Sequence, residues 1–378
     1  MQGDVRFENC SASGEGGGLY MDSTSRLTVE EAASLSFSGC TAGSQAGDNG
    51  GGMCSYGSIM TVGSNAKVSF ENNYVSVEGD GGGLYAKSTS ITVNNRSNIS
   101  FINNYAGDDG GGMYLTGMDS DDYSGEDDMT PCFTLAEGTN AIFIGNSVGE
   151  GGAYGGGVHF AIGCDVVIKG DVHFEQNTAV RAGAMYLDQS RAVISGTAIF
   201  INNTAERWGG AVMVLDSDSG LEFNGTVVAQ NNSAGRSGGV LYLENAPLVV
   251  AEGGDIRDFG ALWEGNYAGY DGGVIAVDGG EFHLGGGIAK SNRAAQRGGV
   301  IFATGESVLS WTAGESFDNS AASGGSLYIS NSKVNLTDVR FVGDHTSSGA
   351  VIFFAGADAR AINISIIAPA ELVGDFAL

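Results

Sequence analysis

The sequence has little proline, few basic residues and no long apolar run. Only 3 of its 378 residues are proline, and 17 lysines and arginines stand against 44 aspartates and glutamates, for a net charge of −27. Nucleic acid is excluded as a partner, because neutralising its phosphates requires basic patches. No apolar run approaches the roughly 18 residues of a membrane-spanning helix, so we expect no direct membrane insertion of this segment.

Cysteine and histidine are also scarce. The five cysteines include no C-x-x-C pair, and the four histidines fall in different repeats, so we predict neither a zinc site nor a catalytic histidine dyad. Cys10 and Cys40 occupy the same motif position in adjacent repeats, where a disulfide and two free thiols both fit. Residues 165–378 contain no cysteine, so disulfides are not expected to hold the fold together.

Glycine is abundant, with 64 residues, and much of it belongs to a repeat of two half-motifs. The second half-motif is a glycine pair followed by a short apolar run, as in Gly81-Gly-Gly-Leu-Tyr85. A period of about 30 residues indicates a solenoid. The first half-motif, Phe-x-x-Asn or a weaker copy, starts twelve times, at Phe7, Phe37, Phe70, Phe101, Phe143, Phe174, Phe200, Ala229, Trp263, Ala289, Phe317 and Phe341.

The repeat predicts strands rather than helices. Each glycine would cost a helix about 1 kcal/mol, and the short runs are rich in β-branched and aromatic residues. We expect about three strands per repeat, with the phenylalanines stacked inside. The asparagine is expected to adopt left-handed backbone at a corner and to form an amide ladder with its neighbours. The glycine pair is expected to provide positive φ or close backbone approach.

The predicted fold is therefore all-β: a right-handed parallel β-helix, or pectin-lyase-like solenoid, of about 12 coils. We predict one domain over residues 1–357, with an acidic loop insertion at 118–131. Residues 358–378 lack the glycine pair and are predicted to form a terminal strand or cap, or the start of a further region.

The pairing of F-x-x-N with G-G-[A/G]-hydrophobic resembles the polymorphic outer membrane protein repeats of chlamydial surface adhesins. The resemblance covers residues 7–354. It implies an extracellular or cell-surface, non-catalytic β-helical scaffold for adhesion, with a protein or glycan of a host or neighbouring cell as its partner. No signal peptide or anchor is visible, and we expect the chain to be a mature region or a fragment.

The two alternative functions are a carbohydrate-active enzyme and an ice- or mineral-binding solenoid. Parallel β-helices also include polysaccharide lyases and glycoside hydrolases, for which Asp108 and Asp109 are the best carboxylate pair, although both lie in a repeat loop. An ice- or mineral-binding solenoid needs a regular Thr-x-Thr face, which is missing. We predict no catalytic residues and no bound cofactor other than Ca²⁺, for which Asp108, Asp109, Asp119, Asp121 and Asp122 are the candidate ligands.

The loops between the two half-motifs are predicted to form one ridge, because each occupies the same point of its coil. The early loop tips are acidic, including Asp80, Asp108 and Asp109. We expect weak divalent-cation binding on that stretch. The later tips carry arginine, and we expect an anionic glycan or a protein to contact Arg181, Arg207, Arg236 and Arg297.

Overall fold

The computed structural model of the chain describes residues 1–43, 45–76, 78–117, 130–150, 153–250, 261–347 and 349–367. Within these residues there are 48 strands and no helix, and the paired strands run parallel. The fold is a parallel β-solenoid of about 12 turns. The chain divides into two compact units, unit 1 at Met1–Ile199 and unit 2 at Phe200–Leu378, and β24 (Ala198–Ile201) spans the boundary.

A complete coil contributes one strand to each of four parallel sheets, which we number 1 to 4 in chain order. In unit 1, sheet 1 contains β1 (Asp4–Glu8), β4 (Ser34–Ser38), β8 (Lys67–Glu71), β12 (Asn98–Ile102), β16 (Asn140–Ile144) and β20 (Asp171–Glu175). Sheet 2 contains β5 (Thr41–Ala42), β9 (Tyr74–Val75), β13 (Tyr105–Ala106), β17 (Ser147–Val148) and β21 (Thr178–Ala179). Sheet 3 contains β2 (Leu19–Met21), β6 (Met53–Tyr56), β10 (Leu84–Lys87), β14 (Met113–Thr116), β18 (Val158–Ala161) and β22 (Met185–Asp188). Sheet 4 contains β3 (Arg26–Val29), β7 (Ile59–Val62), β11 (Ser90–Val93), β15 (Thr130–Leu135), β19 (Cys164–Ile168) and β23 (Arg191–Ile194).

Unit 2 repeats the arrangement. Its sheet 1 contains β28 (Val227–Gln230), β32 (Leu262–Glu264), β36 (Ile288–Lys290), β40 (Glu315–Phe317), β44 (Arg340–Val342) and β48 (Ser365–Ile367). Sheet 2 contains β25 (Thr204–Ala205), β29 (Ser233–Ala234), β33 (Tyr267–Ala268), β37 (Arg293–Ala294), β41 (Ser320–Ala321) and β45 (His345–Thr346). Sheet 3 contains β26 (Val212–Leu215), β30 (Leu241–Glu244), β34 (Ile275–Asp278), β38 (Ile301–Thr304), β42 (Leu327–Ser330) and β46 (Ile352–Ala355). Sheet 4 contains β27 (Gly220–Phe223), β31 (Leu248–Val250), β35 (Glu281–Gly285), β39 (Val308–Thr312), β43 (Lys333–Thr337) and β47 (Asp358–Ile362).

Four strands per coil correct the expected three, because the small residues after the corner asparagine form the two-residue strands of sheet 2. Their side chains pack inward in clusters such as Ala42, Val75 and Ala106. The terminal segment contains β47 and β48, and residues 368–378 lie outside the described part of the chain. The proposed domain boundaries remain a prediction.

The phenylalanines of the first half-motif form a stack in the core of unit 1, as predicted. Successive ring centroids are 4.8 or 4.9 Å apart, and the ring planes differ by at most 13°. Because the strands pair in register, each ring lies directly over the next, and the distance between successive rings equals the spacing between coils. Its members are Phe7, Phe37, Phe70, Phe101, Phe143 and Phe174.

In unit 2 the stacking position holds smaller residues in several coils. The register pairs Ala289 with Ser316 and Ser316 with Phe341, so the expectation that Phe317 belongs to the stack is wrong by one residue. Phe317 is only partly buried, whereas Ser316 is fully buried. Two large rings on sheet 4 are fully buried in these coils, Phe282 and Trp311.

The corner asparagines form a directional ladder in the interior. In unit 1, Asn73 donates from its backbone N and its Nδ2 to Oδ1 of Asn104, at 3.0 and 2.9 Å, and also from Nδ2 to the carbonyl of Phe37. Asn104 repeats the pattern with Asn146. The Asn104 amide has two donated and two accepted hydrogen bonds, so its burial costs little.

Left-handed backbone occurs one position before the ladder asparagine, which corrects the expectation for this corner. Asn72 and Asn103 have φ of 55° and 52°, whereas Asn73 and Asn104 do not have positive φ. Asparagine tolerates this conformation better than most residues. The Asn-Asn doublets therefore contain two different roles, a turn residue followed by a ladder residue.

The glycine pair serves both of the purposes predicted for it. Gly110 has φ of 63°, and a Cβ on Gly111 would lie 2.5 Å from the carbonyl oxygens of Gly156 and Ser147. The first glycine allows the left-handed turn, and the second allows the backbones of adjacent coils to approach.

One disulfide joins adjacent coils of sheet 4, between Cys132 on β15 and Cys164 on β19. The sequence analysis predicts no pairing for these two residues, which lie 32 positions apart and follow the acidic insertion. Cys10, Cys40 and Cys54 are free thiols, so the structure favours the free-thiol alternative for Cys10 and Cys40.

The ladder of unit 2 ends on a carboxylate. Asn319 donates from its backbone N and Nδ2 to Oδ1 of Asp344, at 2.8 and 2.9 Å. Asp344 is 1% exposed, and its Oδ2 has no hydrogen-bond partner. Burial raises the pKa of the Asp344 carboxyl, while the hydrogen bonds from Asn319 oppose part of that rise.

We predict that Phe101→Ala lowers the free energy of unfolding by about 3–5 kcal/mol, because it leaves a cavity between two stacked neighbours in a buried column. Chemical denaturation with circular dichroism measures the change. The control is Ile102→Ala on the same strand, whose side chain is partly exposed and should cost far less. Equal costs for the two variants would contradict the stack as a source of stability.

We also predict that Asp344→Asn raises the midpoint of thermal unfolding. An amide at this position keeps the acceptor for Asn319 and adds an Nδ2 donor toward the carbonyl of Ser316, as Asn319 donates to Ala289. Because the raised pKa disfavours the charged folded form, the wild type loses stability as pH rises above the ordinary aspartate range, and the gain should be larger at pH 7 than at pH 4. The exposed Asp358→Asn serves as control, and a lower midpoint for Asp344→Asn at pH 7 would show that the carboxylate is preferred.

Candidate functional site

Two columns of side chains lie side by side at sheet 3. The ring column is the outward residue at the second position of each sheet-3 strand, on the face opposite core residues such as Leu84 and Ala86. The pre-glycine column is the residue immediately before each glycine pair. The ring column is Tyr20, Cys54, Tyr85, Tyr114, His159 and Tyr186 in unit 1, and Met213, Tyr242, Ala276, Phe302, Tyr328 and Phe353 in unit 2.

Three aspartates meet in unit 1, of which Asp80 and Asp109 belong to the pre-glycine column and Asp108 precedes Asp109. Oxygen atoms of Asp80, Asp108 and Asp109 all lie within 4.8 Å of one another. Asp80 accepts a hydrogen bond from the backbone N of Asp109 at 3.0 Å, and Asp109 accepts one from the backbone N of Tyr154 at 2.8 Å. We call Asp80, Asp108 and Asp109 the acidic cluster.

A buried histidine adjoins the acidic cluster. Nδ1 of His159 lies 3.1 Å from Oδ2 of Asp109, and the imidazole packs against the rings of Tyr114 and Tyr186 with centroids 4.9 and 4.7 Å away. His159 is 4% exposed, and its Nε2 has no hydrogen-bond partner. These contacts hold the imidazole against Asp109.

Asp80 and Asp108 hold their protons more tightly than isolated aspartates, because their pKa values are raised. Burial, followed by repulsion from Asp109, raises the pKa of Asp80 to about 7. The same two causes raise the pKa of Asp108. Asp80 therefore changes charge near neutral pH.

Sequence reasoning identified part of this site. Asp108 and Asp109, predicted as cation ligands, are brought together, while Asp119, Asp121 and Asp122 lie outside the described residues. Asp80 was expected only as a ridge tip, and His159 was not singled out. The available signal for Asp80 was that it precedes a glycine pair in the same way as Asp109.

The predicted ridge arginines lie against aromatic rings. The guanidinium of Arg181 lies 4.9 Å from the ring centroid of Tyr154 and donates to its hydroxyl. In unit 2, Arg207 and Arg236 lie 6.0 and 5.1 Å from the ring of Trp208. Cation–π contacts of this kind hold the arginine heads beside the pre-glycine column.

Arg297 forms a bidentate ion pair. Its Nε and Nη2 donate to the two carboxylate oxygens of Asp271, at 2.9 and 2.7 Å, and its guanidinium lies 4.4 Å from the ring centroid of Phe302. Hydrogen bonding to Asp271 raises the pKa of Arg297. Asp271 is 6% exposed, so this pair is largely removed from water.

A pocket opens beside this ion pair. Its volume is about 300 Å³, and all of its lining residues belong to unit 2. Aromatic walls and a few polar groups are typical of ligand pockets, and about 300 Å³ lies at the small end of their range. The lining residues are Trp208, Ser237, Tyr242, Asp271, Ala276, Val277, Asp278, Arg297, Phe302 and Thr304.

The chain matches no protein-family model, no curated protein and no solved structure with which it was compared. The parallel β-solenoid is consistent with a β-helix family, and the finer resemblance to polymorphic outer membrane protein repeats remains a prediction from the motifs. Across the described residues, no helix is long and apolar enough to span a membrane.

The raised pKa of Asp80 gives a prediction on pH. Because its folded carboxyl keeps a proton that the unfolded chain loses from about pH 3.8, the wild type should lose stability as pH rises from about 4 to about 7. Asp80→Asn removes that loss and keeps an acceptor for Asp109, just as Asn49 accepts from the backbone N of Asp80.

Thermal unfolding of the wild type and Asp80→Asn at pH 4 and pH 8 measures the effect. We expect similar midpoints at pH 4 and a higher midpoint for the variant at pH 8. The exposed Glu137→Gln is the control for a general change of charge. A variant less stable than the wild type at pH 8 would mean that the charged cluster stabilises the fold.

Proposed function

We propose that the chain is a non-catalytic binding scaffold, placed outside the cell or on its surface, and that its ligand lies along sheet 3. The observation that carries the proposal is the repetition of the ring column beside the pre-glycine column, in one register, through successive coils of each unit. Solenoids present such repeated surfaces to extended ligands. The partner is a protein or glycan of a host or neighbouring cell.

The residue types at this surface support binding. Tyrosine, tryptophan and arginine are the types most enriched at binding hot spots, and Trp208 with Arg207 and Arg236 places them in contact. The Cys132–Cys164 disulfide supports an oxidising compartment, as expected of a secreted or surface protein. The resemblance to chlamydial surface adhesins points the same way.

Calcium is part of the proposal. Asp108 and Asp109, joined by Asp80, offer oxygens at a spacing compatible with one ion, whose ligands lie about 2.3–2.6 Å from it. A cation would replace the proton that the acidic cluster holds near pH 7. Added CaCl₂ should raise the unfolding midpoint of the wild type at pH 8 and leave Asp80→Asn unchanged.

The binding proposal is tested with fluorescently labelled protein on cultured cells and on a glycan array. We expect saturable binding by the wild type and about tenfold weaker binding by Arg181→Ser/Arg207→Ser/Arg236→Ser. The control, Arg26→Ser/Arg340→Ser/Arg360→Ser, makes the same change of charge away from the two columns. A wild type that binds neither cells nor glycans would contradict the scaffold function.

A carbohydrate-active enzyme is the second candidate, and the acidic cluster is the observation that favours it. A carboxyl group with a pKa near 7 beside other carboxylates suits a general acid, and retaining glycosidases space their carboxyl groups about 5 Å apart. Under the scaffold proposal we expect no release of reducing ends or unsaturated products from pectin, alginate or xylan. Cleavage that disappears in Asp108→Asn, a variant of an exposed side chain, would favour the enzyme instead.

A further inference from the structure

The pocket of unit 2 exists because the ring column lacks one ring. The register places Ala276 between Tyr242 and Phe302, and Tyr328 and Phe353 continue the column beyond. Where rings are adjacent, their centroids are 5.7 and 4.7 Å apart and their planes nearly parallel. We call the space over Ala276 the Ala276 pocket.

The gap has the height of one inserted ring. Tyr242 and Phe302 belong to coils two steps apart, and each step is about 4.8 Å, so about 9.6 Å separates the two positions. A ring placed between them would contact one aromatic side chain on each side. Trp208 stands beside this space, with its ring 5.9 Å from that of Tyr242.

The polar lining favours an uncharged ligand. Arg297 is held by both oxygens of Asp271, which leaves the pair with no net charge, and the carboxylate of Asp278 is the remaining charged group of the lining. An anionic ligand would therefore face a carboxylate with no free cation among the lining residues. Hydroxyl groups, in contrast, find partners in Ser237, Thr304 and Asp278.

We propose that the Ala276 pocket binds one neutral pyranose unit of a glycan chain. Aromatic faces carry negative potential and attract the weakly positive C–H groups of a sugar ring, while the polar lining pairs with its hydroxyls. The proposal rests on the scaffold function and gives the ligand class at one place on that surface. It differs from the anionic glycan expected along the arginines, because Arg297 is already paired.

Tryptophan fluorescence tests the proposal directly. Of the three tryptophans, Trp263 and Trp311 are 1% and 0% exposed, whereas Trp208 is partly exposed and lines the pocket. The probes are the neutral oligosaccharides cellohexaose, mannohexaose and chitohexaose, with hyaluronan and heparin as anionic probes. We expect at least one neutral probe to protect Trp208 from acrylamide quenching through the pocket. Because Arg207 and Arg236 lie against Trp208, any protection by the anionic probes should come from these arginines and persist when the pocket is filled.

Two variants separate binding from folding. Ala276→Tyr restores the missing ring and fills the pocket, and Tyr242→Ala removes one wall. Each variant should bind the neutral probe that protects Trp208 at least tenfold more weakly than the wild type does. The thermal midpoint of each variant is measured alongside to establish that the variant is folded. Asn335→Tyr, which adds an exposed ring on sheet 4, is the matched control and should bind as the wild type does.

The outcomes are distinguishable. Cell or glycan binding by the wild type that is unchanged in folded Ala276→Tyr and Tyr242→Ala would overturn the pocket proposal and leave the scaffold function standing. Protection of Trp208 by hyaluronan or heparin that is lost in folded Ala276→Tyr would overturn the ligand class. A wild type that binds no cell and none of the glycans would overturn both proposals.

Discussion

Everything in this molecule depends on the lateral register between successive coils. Parallel pairing in register places Phe70 over Phe37 and Asn104 over Asn73, so identical side chains meet at the distance at which rings stack and amides exchange hydrogen bonds. A one-residue shift would turn buried side chains outward and break the amide ladder. The core and the outward surface are therefore specified by the same alignment.

That alignment also determines how polar groups are tolerated in the interior. Asn73 and Asn104 are 1% and 0% exposed, yet every donor and acceptor of their amides is used. At the outer face, the pre-glycine carboxylate of Asp109 accepts from the backbone N of Tyr154 and contacts the imidazole of His159. In such a fold, the stacking of the coils determines where functional side chains on the outer face lie relative to one another.

The sequence was sufficient to predict the fold class, the phenylalanine stack of unit 1 and the amide ladder, because each depends on a residue that recurs at one place in the repeat. It was insufficient at Phe317, because Ser316 and not Phe317 points inward in that coil. In these coils the large buried rings are Phe282 and Trp311 of sheet 4. His159 was missed because the insertion places it 50 positions from Asp109. The Ala276 pocket could not be predicted, because Ala276 marks a gap only in relation to Tyr242 and Phe302, and their alignment with it requires the strand register.

The direction of the amide ladder has an evolutionary consequence. Each ladder asparagine accepts at Oδ1 from the coil before it and donates from its backbone N and Nδ2 to the ladder residue of the coil after it, while its Nδ2 also donates to a carbonyl of the coil before. Every coil therefore presents the same set of donors and acceptors on each of its two sides. A gene duplication or deletion that adds or removes one whole coil joins matching partners at the seam. The number of coils can thus change in a lineage without leaving a buried amide unpaired, while a fragment of a coil cannot be exchanged so freely.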